Sequence, residues 1–327
     1  MKTFKILILF YILLLSFWSS NAQETFVVHD GFKSVNFKDN IFVYSTKDSI
    51  DPNFLIDNDT LKWKKNEESY GFSTDFFWLK FKIKNESKET QNLYLEVDNP
   101  HLRYVEFYEL NNNHLELKHR CGKHMPFDTR PVDNVKFLFP INLPDSKLSE
   151  FYIKVDKRKS SVSFPVKLWK QNEFTKVYNK VSLFNGIYFG GLLLAIMYSL
   201  MAFVNLNRKL YLFYSLYIFF LGLYMYTSEG YAFQYINDSI LFKSYFRVIT
   251  LTLMIFFHAK FLQSLFKTKK YAKKIDKSIT FFSNVLLLIT LIWLVYDQFD
   301  NSLVTPYLKT NYTLIIILII NFILACI

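Results

Sequence analysis

Cysteine is scarce in this chain, which has only two among its 327 residues. Cys121 lies in the polar N-terminal half, whereas Cys326 lies in the last apolar run, so the two are not expected to meet. The sequence therefore excludes a disulfide framework, and the N-terminal half must be stabilised by side-chain packing.

The chain also lacks the motifs of common enzyme classes. Its N-terminal half contains no hydrolase elbow, zinc-protease helix motif, Walker loop or Ser/Lys dyad. Most of the long apolar runs lack the polar residues that line a transport pathway. We expect neither an enzyme nor a transporter, and no cofactor.

One cluster of potential metal ligands comprises His114, His119, Cys121 and His124. A strand would not place all of these side chains on the same face. On an extended strand, His119 and Cys121 share a face, whereas His114 has the opposite parity. We expect a polar hairpin here and no metal.

Apolar residues are abundant: 51% of the chain is hydrophobic and 19% is aromatic. This is too apolar for a single soluble globule and indicates a soluble part joined to membrane helices. The net charge of +11 does not indicate a nucleic-acid partner, because seven lysines cluster in 260–277 between two apolar runs. Such a cluster is typical of a cytoplasmic loop.

The first 22 residues have the pattern of a secretory signal peptide. Lys2 and Lys5 precede the apolar stretch 6–17, and Ser20 and Ala22 are small residues suited to cleavage after Ala22. An uncleaved anchor helix is the alternative. In either case residues 23–179 are expected to be exported.

Residues 23–179 contain short alternating runs separated by polar turns. In the clearest run, Leu79, Phe81 and Ile83 alternate with lysines, which predicts a strand with one packed face and one wet face. Pro140 and Pro165 suggest edge positions or bulges. Many such strands without helical periodicity predict an all-β sandwich of jelly-roll type.

Aromatic residues of this domain are candidates for ligand binding, because their rings can stack on a sugar. The candidates are Trp63, Trp78, Tyr94, Tyr104, Tyr108 and Trp169. The alternative is that most of them pack in the core or across strands. Arg130 could bind an anionic ligand with both guanidinium nitrogens, or it could tie down its own loop.

Residues 180–327 form the expected membrane region. The predicted spans are 183–204, 210–228, 240–265, 278–296 and 312–327. Gly186 and Gly190 are spaced for close approach by another helix.

The distribution of charge orients these spans. Arg208, Lys209 and the lysine cluster belong inside, whereas 229–239 has no lysine or arginine and belongs outside with the N-terminal domain. Arg247, near the outer end of the third span, and Glu229, at the outer end of the second, are candidates for a functional role. His258 is a weaker candidate near the inner end of the third span.

Two stretches together resemble the bacterial seven-transmembrane receptors with diverse intracellular signalling modules, 7TMR-DISM. The first runs from Phe77-Trp78-Leu79-Lys80-Phe81 through Leu95–Pro100, Gly122, Arg130 and Phe139-Pro140 to Leu168-Trp169, and resembles the type 2 extracellular domain. The second runs from Gly190–Ala195 through Lys209–Tyr214 to Gly230–Tyr235, and resembles the start of the family's membrane region.

This resemblance implies an inner-membrane receptor with a periplasmic jelly-roll domain similar to carbohydrate-binding modules. Its partners would be a small-molecule or carbohydrate ligand and membrane lipids. A homodimer is an expectation that the resemblance alone carries. No ligand residues are carried over, so Trp78, Arg130 and Trp169 enter only as positions that match the motifs.

The chain departs from the family pattern at its end, where about five of the seven helices and no output domain are present. We expect a C-terminally truncated form: a fragment, a split gene product or a portion of a longer receptor. A natural short form would need a separate cytoplasmic signalling partner. The alternative function is a membrane-anchored carbohydrate-binding module without a signalling role.

Overall fold

The computed structural model describes residues 25–56, 58, 60–157, 160–236 and 240–296. The expected signal peptide at 1–22 and the expected last span at 312–327 lie outside these residues. The strands are β1 (Phe26–Val28), β2 (Ser34–Asn36), β3 (Phe42–Thr46), β4 (Lys64–Lys65), β5 (Ser69–Ser73), β6 (Phe76–Asn85), β7 (Gln91–Val97), β8 (Tyr104–Asn111), β9 (His114–Cys121), β10 (Phe137–Leu143), β11 (Leu148–Asp156), β12 (Ser160–Ser163) and β13 (Val166–Lys170). Short 3-10 helices lie at Lys38–Asn40, Pro52–Leu55 and Phe127–Thr129.

The strands form two facing sheets, which confirm the predicted β-sandwich. The larger sheet has the order β4-β3-β6-β11-β8-β9, with β1 parallel to β6, and the smaller has the order β10-β7-β13-β2. A separate pair is formed by β5 and β12. Pro140 lies on β10, which is an edge strand, as proline requires because it cannot donate a ladder hydrogen bond.

The core lies between the sheets. Leu79, Phe81 and Ile83 of β6 are fully buried and pack in one cluster with apolar residues of β7, β10 and β13. The alternation in β6 therefore predicted this face correctly. The opposite face of β6 carries a second cluster, in which Trp78 packs with Leu55 and Tyr152.

Six helices follow the sandwich within the described residues: α1 (Gln171–Leu206), α2 (Lys209–Ser228), α3 (Tyr231–Tyr235), α4 (Ile240–Leu265), α5 (Thr268–Tyr271) and α6 (Lys273–Tyr296). Four helices in this part of the chain are long and apolar enough to cross a membrane: α1, α2, α4 and α6. The four predicted spans up to residue 296 lie on these helices. However, α1 begins at Gln171, inside the range predicted to belong to the β-domain.

The long helices pack in sequence, with α2 against α1 and α4, and α4 against α6. Two hydroxyl pairs join neighbours: the oxygens of Ser199 and Ser215 are 2.6 Å apart, and those of Thr252 and Thr290 are 3.1 Å apart. In the described part of the chain, a Cβ at Gly186 or Gly190 would meet nothing within 4 Å. Among the described helices, none approaches these glycines as closely as expected.

Candidate ligand groove and domain junction

A groove of about 400 Å³ lies on the outer face of the larger sheet, at the end where β6 and β8 begin and β9 and β11 end. Its walls are Ser49, Phe76, Tyr104, Glu106, Arg120, Lys154 and Asp156. Strand register explains this convergence. Asp156 pairs with both Phe76 and Tyr104, and the next row on the same face brings Lys154, Glu106 and Arg120 side by side.

Glu106 is the centre of the polar network in this groove. Its carboxylate accepts a 2.7 Å hydrogen bond from Tyr108 Oη and lies 3.1 Å from Arg120 Nε and 3.9 Å from Lys154 Nζ. Burial and the Glu106 carboxylate together raise the pKa of Tyr108, which stays a hydrogen-bond donor. The groove thus combines two carboxylates, two cations and aromatic edges, a set suited to a small polar ligand.

The sequence-predicted ligand residues separate in the structure. Tyr104 lines the groove, and its ring meets that of His124 at 5.9 Å. Trp78 is fully buried directly below, where its ring lies 5.3 Å from Lys154 Nζ and 5.7 Å from the Tyr108 ring. Trp78 therefore packs beneath the groove, which is the packing alternative given for these aromatic residues.

Arg130 is buried and ties down its own loop, which was one of the two alternatives for this residue. Its Nη1 donates to the carbonyl oxygens of Asn134 and Val135, and its guanidinium lies 4.4 Å from the rings of Phe127 and Phe137. This arrangement leaves the guanidinium engaged in structural contacts and away from the groove.

Trp169 is also nearly buried, at the end of β13 beside the start of α1. Its Nε1 donates to Glu96, and its ring packs on Phe174 at 5.9 Å. Glu96 in turn is 2.7 Å from Lys136 Nζ, which also reaches Asp98 at 2.9 Å. Burial lowers the pKa of Lys136, but these carboxylates outweigh that effect and hold it above its usual value. Trp169 therefore joins the sandwich to the first membrane helix.

A second contact between sandwich and helices is formed by the outer hairpin, Ser228–Tyr235, which consists of the end of α2, the turn at Glu229 and Gly230, and α3. Gly230 adopts a φ of 91° and approaches so closely that an added Cβ would lie 2.8 Å from Pro100 Cβ and 3.5 Å from Val135 Cβ. Gln234 Nε2 donates to Asp133 Oδ1 at 2.7 Å. Because Val135 is held by Arg130, the motif arginine positions the surface that receives Gly230.

His101 connects the sandwich to the end of α2. Its Nε2 lies 2.9 Å from the Ser228 carbonyl oxygen, and its ring meets that of Phe233 at 5.5 Å. Burial, followed by the charges of Arg247 and Lys123, holds the pKa of His101 well below its usual value. The neutral imidazole therefore donates its Nε2–H to the helix carbonyl.

Two of the candidates from the membrane region, Arg247 and Glu229, lie near this junction. Arg247 is exposed on α4, and its charge acts on both His101 and Lys157. Burial together with Arg247 and Arg103 lowers the pKa of Lys157 to about 8. Glu229 is exposed at the end of α2. His258 packs on Tyr217, with ring centroids 4.7 Å apart, inside the helical bundle. Functional roles for these residues stay predictions.

No group of three or more His, Cys, Asp or Glu side chains in the described residues could hold a metal ion. His119 stacks on Phe107, whereas His124 lies against Tyr104, so the sequence cluster is dispersed. Burial raises the pKa of the Cys121 thiol to about 12.

Sequence reasoning missed His101, Gly230 and the groove residues Glu106, Arg120, Lys154 and Asp156. The cross-strand register that gathers the groove residues is not readable from one strand at a time. For Gly230, its place between a membrane span and an aromatic-rich segment was a usable signal.

Comparisons with known proteins fit this architecture. The family model described as 7TMR-DISM extracellular 2 matches residues 48–170, and the model described as 7TM diverse intracellular signalling matches residues 182–327. No curated protein matches the chain significantly.

Among solved structures, the chain is similar to a beta-glucosidase from Kluyveromyces marxianus, with 10% identity and a TM-score of 0.25, over 44% of this chain and 18% of that one. It is also similar to the GH31 alpha-xylosidase from Xanthomonas citri, with 9% identity and a TM-score of 0.22, over 40% and 15% of the two chains. The match thus spans less than a fifth of either enzyme, and likeness at this level carries no argument about activity. The two family matches, which follow each other in the order of the sandwich and the helices, place this chain in the 7TMR-DISM family of membrane receptors with an extracellular sensing domain.

Proposed function

We propose that the chain is the sensing and membrane portion of a receptor in the bacterial inner membrane, with the sandwich in the periplasm. A small polar ligand, such as a carbohydrate, would bind the groove around Tyr104 and Arg120. Its occupancy would bias the packing of the outer hairpin. A ligand acts in this way only through different affinities for two states of the receptor. The chain itself would perform no catalysis, and output would come from a cytoplasmic signalling partner or domain.

One observation carries this proposal: the strands that line the groove run directly into the loops that hold the outer hairpin. Tyr104 begins β8 three residues after His101, and Arg120 near the end of β9 is three residues before Lys123. Lys123 N donates to Leu102 O at 2.7 Å, and its Nζ lies 5.6 Å from the Phe233 ring. A Cβ at Gly122 would overlap the Arg103 carbonyl oxygen, which also accepts a 3.1 Å hydrogen bond from His124 N, so the two loops pack closely against each other.

The test uses the full chain in lipid nanodiscs and a panel of mono- and oligosaccharides, amino acids and other small polar metabolites. We expect a subset to raise the unfolding temperature, because a ligand that binds only the folded state stabilises it. The shift should be lost in Tyr104→Ala and Arg120→Ala, and kept in Arg208→Ala, a matched control in the α1–α2 link. Ligand binding at this groove would be refuted if no compound shifted the unfolding temperature, or if the shift in both groove variants equalled that in the unchanged chain.

A membrane-anchored binding module without signalling is the alternative. The two functions differ in their effect on the outer hairpin. A receptor predicts that saturating ligand changes amide hydrogen exchange in Ser228–Tyr235, whereas a passive module predicts changes confined to the groove. Exchange measured with and without the ligand identified above separates them.

A further inference from the structure

A second cavity, of about 500 Å³, lies at the opposite end of the helical region from the sandwich, where α5 turns into α6. It is lined by Lys269, Lys273, Asp276, Lys277, Thr280 and Phe281. Three ammonium groups thus surround it against one carboxylate.

The carboxylate in this cavity is already engaged by the protein. Asp276 Oδ1 accepts hydrogen bonds from Thr268 Oγ1 at 2.6 Å and from Gln263 Nε2 at 3.0 Å. Gln263 Nε2 also reaches Thr280 Oγ1 at 2.9 Å. This network fixes α4, α5 and α6 relative to one another, and among the described residues no carboxylate forms an ion pair with the three lysines. The cavity therefore presents a preformed, positively charged surface.

The basic end of the cavity continues into an apolar surface. Lys273, Lys277 and Phe281 are spaced by four residues and share one face of α6. Further along the same face, Leu288 and Val295 are exposed. Phe281 itself is 62% exposed although it lines the cavity. A charged site that leads directly onto an exposed apolar stripe matches a molecule with an anionic head and a hydrocarbon tail.

We infer that this cavity binds an anionic phospholipid, with its phosphate among Lys269, Lys273 and Lys277 and an acyl chain along Phe281 and Leu288. Basic pockets between membrane helices on the cytoplasmic side are suited to such head groups. The inference uses the proposed orientation only to assign the cytoplasmic leaflet. It is independent of ligand sensing by the sandwich, so either can fail without the other.

The first experiment compares binding of phosphatidylglycerol and phosphatidylcholine to the full chain by native mass spectrometry from detergent. We expect preference for phosphatidylglycerol, and a loss of about tenfold or more in its affinity in the triple variant Lys269→Gln, Lys273→Gln, Lys277→Gln. The matched control removes equal charge from the same loop through Lys267→Gln, Lys270→Gln and Lys274→Gln, and should change affinity less than about twofold. Equal losses in the two triple variants would overturn the site in favour of general attraction to a basic loop.

The second experiment separates a lipid from free phosphate. Phe281→Ala should weaken binding of long-chain phosphatidylglycerol and leave binding of glycerol phosphate, which has no acyl chain, unaffected, because only the lipid has a hydrocarbon tail to pack on the ring. Phe184→Ala, which removes an exposed ring from α1, is the matched control and should change neither. Displacement of the lipid by inorganic phosphate at equal concentration, or no effect of Phe281→Ala, would overturn the acyl-chain contact and with it the proposal.

Discussion

For Arg130 and Trp78, the segments packed around the side chain decide its role more than its residue type does. Trp78 has the same strand parity as Lys80 and Lys82, so its position in the sequence predicts the wet face. The structure buries it because the segment that carries Leu55 and Trp63 folds over that face. When a distant loop covers a sheet face, the sequence of the strand itself shows no periodic pattern that reveals it. The packing roles of Trp78, Arg130 and Trp169 could therefore be predicted only as alternatives to ligand binding.

Replacement of Arg130 should destabilise the sandwich markedly. Arg130→Met removes two hydrogen bonds from a buried cation and leaves the Asn134 and Val135 carbonyls without these donors. We expect a loss of about 2–4 kcal/mol in the free energy of unfolding, measured by chemical denaturation. Arg130→Lys should rescue little of it, because an ammonium cannot reproduce the fork and the ring contacts.

Arg120→Met is the control for Arg130, because the Arg120 side chain is 57% exposed and forms a surface ion pair. Its loss should stay below about 1 kcal/mol. Similar losses for the two arginines would show that Arg130 does not hold its loop as described.

His101 should make the junction sensitive to acid. Its folded-state pKa lies well below the usual value of 6.5, so the stabilising neutral form is fully present above pH 6.5. Stability is then lost as pH falls from 6.5 through the lower folded-state pKa. A proton on the imidazole would face Lys123, Lys157 and Arg247.

The measurement for His101 is the unfolding temperature of the full chain between pH 7.5 and 5. We expect a smaller decrease in His101→Gln than in the natural chain. His114→Gln, at an exposed position on β9, should retain the natural profile. Parallel curves for all three proteins would show that His101 is not the group that titrates.

At the scale of elements, strict alternation predicted β6, and apolar length predicted α2, α4 and α6 to within a few residues. The start of α1 was missed because Asn172, Glu173 and Lys176 look like a polar linker. Asn172 and Lys176 are exposed and Glu173 is partly exposed, on a helix whose Phe174 packs on Trp169. Helix α3 was missed because five residues are too few for a periodic pattern.

Gly230→Ala should disrupt the docking of the outer hairpin. The added Cβ meets Pro100 at 2.8 Å and the backbone has a φ of 91°, so contact and strain act together. We expect a loss of about 1–3 kcal/mol in junction stability, seen as faster amide exchange in Ala232 and Phe233. Gly186→Ala, where nothing lies within 4 Å, is the matched control and should leave this exchange unchanged.

At the scale of the whole molecule, the two domains and their order follow from the pattern of apolar residues, because alternating runs occur in the N-terminal half and long apolar runs in the C-terminal half. The contact surface between the domains could not be predicted. It joins residues more than a hundred positions apart, such as His101 and Ser228. A single sequence contains no signal for pairs of this kind.

The proposed topology places Glu229 and the lysine loop on opposite sides of the membrane. In a chain with Cys326→Ser, where buried Cys121 stays inert, Glu229→Cys should react with a membrane-impermeant thiol reagent applied to cells with a permeabilised outer membrane. Lys270→Cys should react only after lysis. The reverse pattern of labelling would invert the orientation.

The direct passage from β13 into α1 has a mechanical consequence. Lys170 is followed at once by a continuous helix of 36 residues, about 54 Å long. This helix therefore connects the sandwich to the membrane region with no flexible linker between them. Each residue inserted near Val177 would rotate the sandwich relative to the membrane part of the helix by about 100°. One extra alanine would rotate the Pro100 surface away from Gly230. An insertion of seven residues, close to two full turns, would restore the rotational orientation of the sandwich but move it along the helix axis, away from the hairpin. Rotation and height are thus set together by the length of one helix.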